Sequence, residues 1–343
     1  MSNLKIKNME KFAEICGVSR PTVSKYFNDP NSVRSSIRTR IEETLEQFDY
    51  RPNIYAINQN RRLTKNIGIV VPYLADPFFA EIARRIETHC IDAGFSPSLF
   101  SSHGKRELEN EILDTLRSMK PAGVLLAPLG RSSDKKFVEQ FCEDVPTVLF
   151  DSNIDGIGDV FIGSDNPQFT SLMVNYLCRT GHPPAFFEMQ NPPNPNARKR
   201  RLGYIEAMEK QGYEPHIFKA EGEGWALEEI GLCEGVKFIE SAQFNANSIL
   251  CSNDRLAIGF LAACYQKNIR VGIGKECDLR VAGLDGHPFS SYTCPPLTTV
   301  SHDYEAISAR SVEELFHLIE NGKSNISREE KLFEGKLLMR ASA

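Results

Sequence analysis

A run of hydroxyl, amide and cationic side chains near the start of the chain has the composition of a surface that contacts nucleic acid. Residues 15–28 read Ile-Cys-Gly-Val-Ser-Arg-Pro-Thr-Val-Ser-Lys-Tyr-Phe-Asn. Val23, Tyr26 and Phe27 recur at three- and four-residue spacing, so they would dock a helix and leave its other faces exposed. A short helix that is basic and rich in hydroxyl groups suits the major groove of DNA. The residues left on the outer faces are Arg20, Pro21, Thr22, Ser24, Lys25 and Asn28.

The elements that would position this helix are a preceding helix and a sharp turn. Phe12, Ala13 and Ile15 put apolar groups on one face of the first helix. Gly17 supplies the turn, and Ser19 is a good N-cap for the second helix. The pattern therefore predicts a helix-turn-helix. The alternative is a helical hairpin in an ordinary core, with its polar residues merely solvated.

Further helices are predicted after this pair. A third helix fits residues 36–48, where apolar side chains line one side. The run Tyr-Arg-Pro-Asn at 50–53 ends it, and Asn53 can cap a further short helix over residues 54–61. That segment is polar and basic and would be marginal as a free helix. It either forms on a partner or is a flexible linker.

Charge is divided unevenly along the chain. The net charge is −5, but residues 1–66 hold 12 Lys and Arg against 7 Asp and Glu, whereas residues 67–343 hold 28 against 38. A basic head on an acidic body confines the attraction for phosphate groups to the head. This asymmetry favours DNA binding over the ordinary hairpin.

Composition limits the remaining possibilities. A chain of 343 residues with 41% hydrophobic side chains allows two or three domains. Apolar runs such as residues 123–129 are too short to span a bilayer, and the N-terminus lacks the apolar core of a signal peptide. The nine cysteines include no Cys-x-x-Cys pair, which argues against a disulfide framework or a zinc site. We therefore expect a cytoplasmic protein without a metal or cofactor.

From residue 67 onward, short β-branched runs alternate with amphipathic helices, which indicates parallel sheets with right-handed crossovers. The strands are too many for one compact sheet, so the sequence predicts an α/β fold with two doubly wound subdomains. The predicted strands cover residues 67–71, 124–126, 145–150, 160–162, 249–251 and 279–282. The predicted helices cover residues 77–93, 106–119, 168–180, 197–210, 226–241 and 254–267.

Motifs in a fixed order along nearly the whole chain point to a family. They are Gly-Val-Ser at 17–19, Thr-Val-Ser at 22–24, Tyr-Arg-Pro-Asn at 50–53, Thr-Lys-Asn-Ile-Gly at 64–68, Asp-Pro-Phe-Phe at 76–79, Gly-Ser-Asp-Asn at 163–166, Ser-Asn-Asp at 252–254, Gly-Leu-Asp at 283–285 and Pro-Pro-Leu-Thr-Thr-Val at 295–300. In this order and spacing, the chain resembles the lactose-repressor/galactose-repressor (LacI/GalR) family of bacterial transcription regulators.

The resemblance implies the order of the domains along the chain and the arrangement of the core in two subdomains. A helix-turn-helix DNA-binding domain would cover residues 1–52, a hinge helix and linker residues 53–66, and a periplasmic-binding-protein-like effector core residues 67–343. In that core the chain would cross three times between two subdomains. The N-subdomain would comprise about 67–165 and 297–323, and the C-subdomain about 166–296 and 324–343.

The resemblance also assigns contacts with DNA. Base edges would be met by Arg20, Pro21 and Lys25. Arg20 can present a bidentate fork to guanine, whereas Pro21 offers only apolar contact. Lys25 stands where the family usually has an arginine, which replaces the fork by a point charge. The other residues of this predicted surface are Ser19 and, as phosphate contacts that fix the register, Thr22, Ser24 and Asn28.

In the hinge, family members insert a leucine into the minor groove, and Gln59 occupies that position here. An amide is a poor apolar wedge. Either Gln59 hydrogen-bonds in the groove, or Ile57 acts as the wedge through a shifted helix. With Asn53 as the cap, these residues complete the predicted DNA contacts, and we expect less kinking of the DNA than is usual in the family.

For a small effector, residues at five positions match the family's ligand shell, and each follows a predicted strand or opens a predicted helix. Carboxylates and an amide would bind hydroxyl groups, an arginine would bind a hydroxyl pair or an acid, and a tryptophan would stack on a sugar face. The five residues are Asp151, Arg200, Trp225, Asn253 and Asp285. Asp76, Phe78 and Phe79 would line the N-subdomain side, with Asp165 near the crossover.

Several of these residues also have a purely structural interpretation. Asn253 could simply cap a helix, Phe78 and Phe79 could be ordinary core, and the cationic run at residues 198–201 could be solvated.

Taken with the resemblance, the sequence predicts a homodimeric repressor that binds a palindromic operator and responds to a sugar or sugar derivative. A regulator with a non-sugar effector or corepressor is the alternative, and a cytosolic solute-binding protein is a different class. An enzyme is not expected, because the chain has no Gly-rich phosphate loop, no Gly-x-Ser-x-Gly and no His/Cys metal spacing.

Overall fold

The computed structural model describes residue 6, residues 8–48, residue 50 and residues 64–241, 246–322 and 328–343, without the side chain of residue 28. The chain divides into two compact units, Met1–Thr64 and Lys65–Ala343. The first unit holds the predicted helix-turn-helix, and the second, which we call the core unit, holds the predicted α/β fold.

Three α-helices make up most of the described part of the first unit. They are α1 (Met9–Cys16), α2 (Arg20–Asn28) and α3 (Ser35–Gln47), with a short 3-10 turn at Pro30–Ser32. The predicted third helix is confirmed to within one residue at each end. Ile15, which was predicted to face the interior, is instead 37% exposed, because Cys16 takes the buried position at the end of α1. The predicted helix over residues 54–61 lies outside the described residues.

Two capping residues shape the turn between α1 and α2. Gly17 has a left-handed φ of 63°, and its N–H caps the last turn of α1. A Cβ added there would lie 2.4 Å from Nη2 of Arg40, which donates hydrogen bonds to the Cys16 and Gly17 carbonyls at 2.6 and 3.1 Å. The Ser19 hydroxyl accepts a hydrogen bond from the N–H of Thr22 and so caps α2 as predicted.

Strands of the core unit form two six-stranded sheets. Its described strands are β1 (Asn66–Val71), β2 (Ser96–Ser101), β3 (Gly123–Leu126), β4 (Thr147–Phe150), β5 (Val160–Ser164), β6 (Ala185–Met189), β7 (Ile217–Ala220), β8 (Ser248–Cys251), β9 (Arg280–Asp285), β10 (Thr298–Ser301), β11 (Glu329–Phe333) and β12 (Lys336–Leu338). The first sheet has the order β11-β5-β4-β3-β1-β2 and is parallel throughout. The second has the order β12-β10-β9-β8-β6-β7, in which only β12 runs antiparallel to its neighbour.

Helices cover both faces of each sheet. The described helices of the core unit are α4 (Pro77–Asp92), α5 (Arg106–Met119), α6 (Lys135–Asp144), α7 (Asn166–Thr180), α8 (Ala197–Lys210), α9 (Leu227–Glu240), α10 (Asp254–Gln266) and α11 (Tyr304–Asn321). In β1, Ile69 and Val71 pack with apolar residues of α4 and α11, whereas Val70 packs with residues of α5 and α6. Burial on both faces explains why the central strands are continuous apolar runs.

The chain passes between the two sheets three times, at residues 164–166, 301–304 and 333–336. We call the part around the first sheet the first subdomain and the part around the second sheet the second subdomain. The predicted boundaries differ at two of the crossings. The segment predicted as 297–323 in the first subdomain begins with β10, which pairs with β9 in the second sheet. The segment predicted as 324–343 in the second subdomain contains β11, which pairs with β5 in the first sheet.

The predicted helices of the core unit are confirmed to within two residues at each end. Six strands were missed, and four of them lie at the edges of the sheets, where a strand needs no continuous apolar run. The missed strands are β2, β6, β7, β10, β11 and β12. No helix in the described part of the chain has the length and apolar character needed to cross a bilayer.

Candidate functional site

A narrow cleft lies between the two subdomains, at the carboxyl ends of their strands. The structure brings together eight of the nine residues predicted to bind an effector, and Asp165 is the exception. The eight are Asp76, Phe78, Phe79, Asp151, Arg200, Trp225, Asn253 and Asp285. The lining residues that sequence reasoning missed are Asn194, Leu227, Arg255 and His302.

Two of the cleft carboxylates have unusual backbone conformations. Asp151, directly after β4, has a φ of 59°, and Asp285, at the end of β9, has a φ of 130°. Non-glycine residues adopt such values only where their surroundings hold them there, and these conformations cluster at functional sites. The ends of β4 and β9 thus place both carboxylates in the wall of the cleft.

Arg200 is a rigid donor on the second-subdomain wall. It lies in the first turns of α8 with only 3% of its side chain exposed. Its Nε donates to Oδ1 of Asn166 at 2.8 Å, Nη1 to the Ser252 carbonyl at 2.8 Å, and Nη2 to Oδ1 of Asp285 at 2.5 Å. A guanidinium with partners on three elements keeps one orientation, so it can bind a ligand without first being ordered.

Asp285 and His302 connect the cleft to two of the crossings. Nε2 of His302 lies 3.2 Å from Oδ1 of Asp285, and its Nδ1 lies 2.7 Å from the Ser164 hydroxyl. Burial would raise the pKa of Asp285, but Arg200 and His302 outweigh it and hold that pKa below its usual value. Burial lowers the pKa of His302, so the imidazole is neutral. A neutral ring that donates through Nε2 accepts the Ser164 proton at Nδ1.

Asp151 is the carboxylate with spare hydrogen-bonding capacity. Its Oδ1 accepts a hydrogen bond from Nδ2 of Asn196 at 3.0 Å, whereas its buried Oδ2 has no partner in the described part of the chain. Burial raises the pKa of Asp151 to about 7. A ligand hydroxyl could donate to this oxygen, or accept from it when the group is protonated.

Trp225 forms an aromatic wall that touches the opposite subdomain. It follows β7 in the second subdomain, yet its ring stacks on Tyr73 of the first subdomain with centroids 5.1 Å apart. The ring of Phe79 meets it edge-on at 6.2 Å. An indole ring in this position offers an apolar face to a ligand and also joins the two subdomains.

Arg255 ties the two walls of the cleft by charge. Its Nη1 donates to Oδ2 of Asp76 in the first subdomain at 3.0 Å. Within the second subdomain, it holds Glu228 through Nε at 2.7 Å and Nη2 at 2.6 Å, and it donates to the Trp225 carbonyl at 2.8 Å. Burial raises the pKa of Asp76, opposed by Arg255. Arg255 therefore positions Trp225 and links the subdomains.

Two of the residues predicted to bind an effector, Asn253 and Asp165, act as helix caps in the structure. Oδ1 of Asn253 accepts a hydrogen bond from the Leu256 N–H at 2.8 Å and caps α10, while its amide nitrogen has no partner among the described residues. Oδ1 of Asp165 caps α7 by accepting from the Gln168 N–H at 3.0 Å. Asn253 can thus cap a helix and still donate into the cleft, whereas Asp165 is a helix cap outside it.

The cleft is built for binding polar ligands. Arg200, Asn194 and Asn253 supply donors, Asp151 supplies an acceptor, and Trp225 supplies an aromatic face. Among the described residues of the chain, no group of three or more His, Cys, Asp or Glu side chains could hold a metal ion.

The missed residues had weak sequence signals. His302 directly follows the strand β10, which was not predicted, so its position at a strand end was hidden. Asn194 lies in the Pro-Pro-Asn-Pro-Asn loop, whose place between a strand and a helix was a usable signal. Arg255 adjoins Asn253 and Asp254, but only the fold shows that it meets Asp76.

The predicted DNA-contacting surface lies on α2. Arg20, Pro21 and Lys25 are exposed, whereas Thr22 and Ser24 are half-buried. Opposite them, Val23 and Tyr26 are buried against the other helices. The helix therefore presents basic and hydroxyl groups outward, as a groove-binding helix requires.

The structure adds three observations about the predicted DNA-contacting residues. The Ser19 hydroxyl is a helix cap that also hydrogen-bonds the Thr22 hydroxyl at 2.8 Å. Arg20 Nε lies 3.6 Å from Glu10, and both side chains are more than half exposed, so this ion pair is weak. The remaining predicted contacts, the side chain of Asn28 and the residues Asn53, Ile57 and Gln59, lie outside the described residues.

Together, the fold and the two surfaces define a class of protein: a regulator with a DNA-binding helix-turn-helix and a ligand-binding α/β core. Family models agree with both parts. Residues 8–53 match the bacterial regulatory proteins of the lacI family, and residues 174–343 match a periplasmic binding protein-like domain. The chain therefore combines a lacI-family regulatory domain with a periplasmic binding protein-like domain.

Relatives and solved structures cover nearly the whole chain. The ribose operon repressor of Escherichia coli (strain K12) is 27% identical over 314 residues, which is 91% of this chain and 92% of the repressor. The NTD biosynthesis operon regulator NtdR of Bacillus subtilis (strain 168) is 24% identical over 97% of this chain and 99% of its own length. A lac repressor bound to ONPG in the repressed state superposes with a TM-score of 0.82 at 23% identity, over 99% of this chain and 100% of that one, which establishes the shared fold.

Proposed function

We propose that the protein is a transcriptional repressor that binds operator DNA through α2 and responds to a small polyhydroxylated effector, a sugar or sugar derivative, in the cleft. The observation that supports this most strongly is the convergence of Arg200, Asp285, Asp151 and Trp225 at one inter-subdomain cleft. Pockets of this kind, with a few fixed polar groups and an aromatic face, bind small polar molecules. The relative named as a ribose operon repressor is consistent with a sugar.

The chemistry of the cleft favours hydroxyl groups over a fully charged ligand. Arg200 and Arg255 are already paired with Asp285 and Asp76, so neither is an uncompensated cation. The free capacity resides in Oδ2 of Asp151 and the amide nitrogen of Asn253, an acceptor and a donor that suit hydroxyl groups. A non-sugar effector or corepressor is the alternative, and a panel of ligands distinguishes the two.

Closure of the cleft would link the effector to DNA. The two subdomains are joined at three crossings, and Ser164 and His302, at two of them, hydrogen-bond at 2.7 Å. A ligand that binds one arrangement of the subdomains better than another shifts the population toward it. The coupling free energy between two such sites is typically about 1–3 kcal/mol.

We also infer a homodimer, because two identical helix-turn-helix units on a two-fold axis match a palindromic site. Binding to chromosomal DNA would place the protein in the bacterial cytoplasm. We propose a binding protein rather than an enzyme, because the cleft pairs its arginines Arg200 and Arg255 with the carboxylates of Asp285 and Asp76 and so resembles a fixed recognition surface.

A gel-shift titration of the full-length chain tests the proposal. The probe is the DNA upstream of the chain's own coding region, with scrambled DNA as the control, and each is titrated with and without a panel of sugars. We expect a specific shift whose midpoint changes with one sugar class. No specific shift under any condition would overturn the proposal, and a shift that responds only to non-sugar metabolites would replace the effector class.

A further inference from the structure

A second and larger cavity lies beside the cleft, between the same two subdomains. It measures about 750 Å³, opens to solvent, and is lined from segments 129–135 and 152–155 of the first subdomain and segment 192–202 of the second. Asn194 lines both the cleft and this space. We call it the basic cavity, for the charges on its wall.

Positive charge predominates on that wall. Among the lining residues, Arg131, Lys135, Arg198 and Lys199 are cationic and only Asp155 is acidic. Lys135 Nζ donates to the Asp155 carbonyl at 2.8 Å, and Lys199 Nζ to a side-chain amide oxygen at 3.1 Å. Arg131 and Arg198 are exposed and make no hydrogen bond or ion pair with any described residue. A concave surface of one charge sign attracts ions of the opposite sign.

An unpartnered hydroxyl lies in the same wall. Ser152 is 1% exposed, and its Oγ has no hydrogen-bond partner among the residues that the structure describes. A Cβ added at Gly130 would lie 3.2 Å from this oxygen and 2.9 Å from Cβ of Pro195, so the hydroxyl lies where loops of the two subdomains meet. Buried polar groups are nearly always hydrogen-bonded, and one that is not indicates a missing partner.

The helix α8 begins at this wall. It has 14 residues, and its N-cap, Asn196, makes no side-chain hydrogen bond to the first turn. Arg198 and Lys199 are the second and third residues of the helix, so their backbone N–H groups belong to the first turn, which has no carbonyl partner within a helix. Such N–H groups and the positive end of the helix dipole bind phosphate and other oxyanions.

We propose that the basic cavity binds a phosphate group, held by the guanidinium groups of Arg131 and Arg198, the Ser152 hydroxyl and the first turn of α8. Arginine binds phosphate oxygens through two parallel hydrogen bonds, and a serine hydroxyl donates a third. The group comes either from a free small anion or from a phosphorylated effector whose polyol part occupies the cleft. The second source rests on the proposed function.

The cavity and the cleft share a wall, so an ion bound in one can act electrostatically on residues of the other. Nδ2 of Asn196 donates to both the carbonyl and Oδ1 of Asp151, each at 3.0 Å. Asp151 lines the cleft and Asn196 lines the basic cavity. An anion bound on one side would therefore change the electrostatic environment of a cleft carboxylate on the other.

Calorimetric titration of the full-length protein with inorganic phosphate, at constant ionic strength, tests the site without DNA. We expect one phosphate per chain and a loss of affinity of about tenfold or more in Arg131→Gln/Arg198→Gln, since two charge-assisted contacts are removed. Ser152→Ala should weaken binding by a smaller factor. The matched control is Arg179→Gln, an exposed arginine at the end of α7 and outside the cavity, which should bind phosphate as the wild type does.

Two results would overturn the proposal. One is the absence of phosphate binding to the wild type. The other is equal weakening by Arg179→Gln and by the double variant Arg131→Gln/Arg198→Gln, together with no effect of Ser152→Ala, which would mean diffuse attraction to a charged surface rather than a built site.

Comparing the binding of D-ribose 5-phosphate with the binding of D-ribose and of inorganic phosphate distinguishes the two sources of the phosphate group. If the group belongs to the effector, the phosphorylated sugar binds more tightly than inorganic phosphate, and the double variant loses that preference. If the ligand is a free anion, ribose 5-phosphate competes no better than phosphate. Failure of the proposed function, in which no sugar changes the operator gel shift, leaves the calorimetric result unaffected, so the two hypotheses fail separately.

Discussion

The cleft and the outer face of α2 both display arginine, but hold it in opposite states. In the cleft, Arg200 is 3% exposed and bonded to three partners. On α2, Arg20 is more than half exposed, and its ion pair is a long 3.6 Å contact with Glu10. The first arrangement is fixed before a ligand arrives, whereas the second leaves its cation in solvent with one weak partner.

This difference has an energetic consequence. Removing one member of a buried ion pair leaves an uncompensated charge, so stability and binding fall together. Removing an exposed cation leaves the fold unchanged and costs only the contact with DNA. The two regions should therefore respond differently to the same type of substitution.

The largest expected effect is in the cleft. Arg200→Ala leaves Asp285 buried without its cation and should lower the free energy of unfolding of the core unit by about 3–5 kcal/mol. Chemical denaturation followed by the fluorescence of Trp225, the single tryptophan, measures it. Arg179→Ala, at an exposed arginine, is the control and should cost little. Equal stability of the two variants would contradict the account of a fixed charge network.

The pH dependence of stability comes next. Burial raises the pKa of Asp151 from 3.8 to about 7 in the folded state. Below pH 4 the carboxyl is protonated in both states, and between pH 4 and 7 only the unfolded state loses the proton, so folding is progressively penalised as the pH rises. Asp151→Asn should therefore gain stability relative to the wild type over that window, by up to about 1.4 kcal/mol per pH unit.

Unfolding midpoints of the wild type and Asp151→Asn at pH 4, 5.5 and 7 test this. Other groups titrate in the same range, but they are common to both proteins and cancel in the difference. A difference in stability between the two proteins that stays constant with pH would show that the pKa of Asp151 is ordinary, and would contradict this prediction.

A smaller effect, confined to DNA, is expected on α2. Arg20→Ala should weaken operator binding by about 1–3 kcal/mol and relax the preference at one base pair, because a bidentate contact with a base is lost. Thr22→Val should weaken specific and nonspecific binding alike, as loss of a phosphate contact does. Thermal unfolding should be unchanged in Arg20→Ala. Lys11→Ala, at an exposed cation of α1, serves as the control, and an equal loss there would indicate nonspecific attraction only.

The sequence predicted which residues lie in the cleft better than it predicted which of them contact one another. The residues of the cleft were found because they match the ligand shell that the family resemblance implies, and each also follows a strand or opens a helix, where strand ends of parallel sheets converge. Arg255 and His302 were missed because their partners, Asp76 and Asp285, lie 179 and 17 residues away in the sequence. Such pairs depend on how the subdomains meet, which no local pattern contains.

Strand prediction failed for a related physical reason. β2 and β7 lie at sheet edges and are only partly buried, so they lack the continuous apolar run of a central strand. β10 is buried and its Thr-Thr-Val run is β-branched, so this run was a usable strand signal that the prediction overlooked. Its assignment to the second sheet depends on pairing with β9, and that pairing moved the predicted subdomain boundary.

The central claim is that effector occupancy of the cleft and operator binding by α2 are coupled, and reciprocity tests it most directly. The operator affinity is measured with and without saturating sugar, and the sugar affinity, from Trp225 fluorescence, with and without saturating operator. Linkage requires the two ratios to be equal, and we expect a common factor of about 5 to 150. A ratio of one in both measurements, with sugar and operator each bound, would contradict the claim.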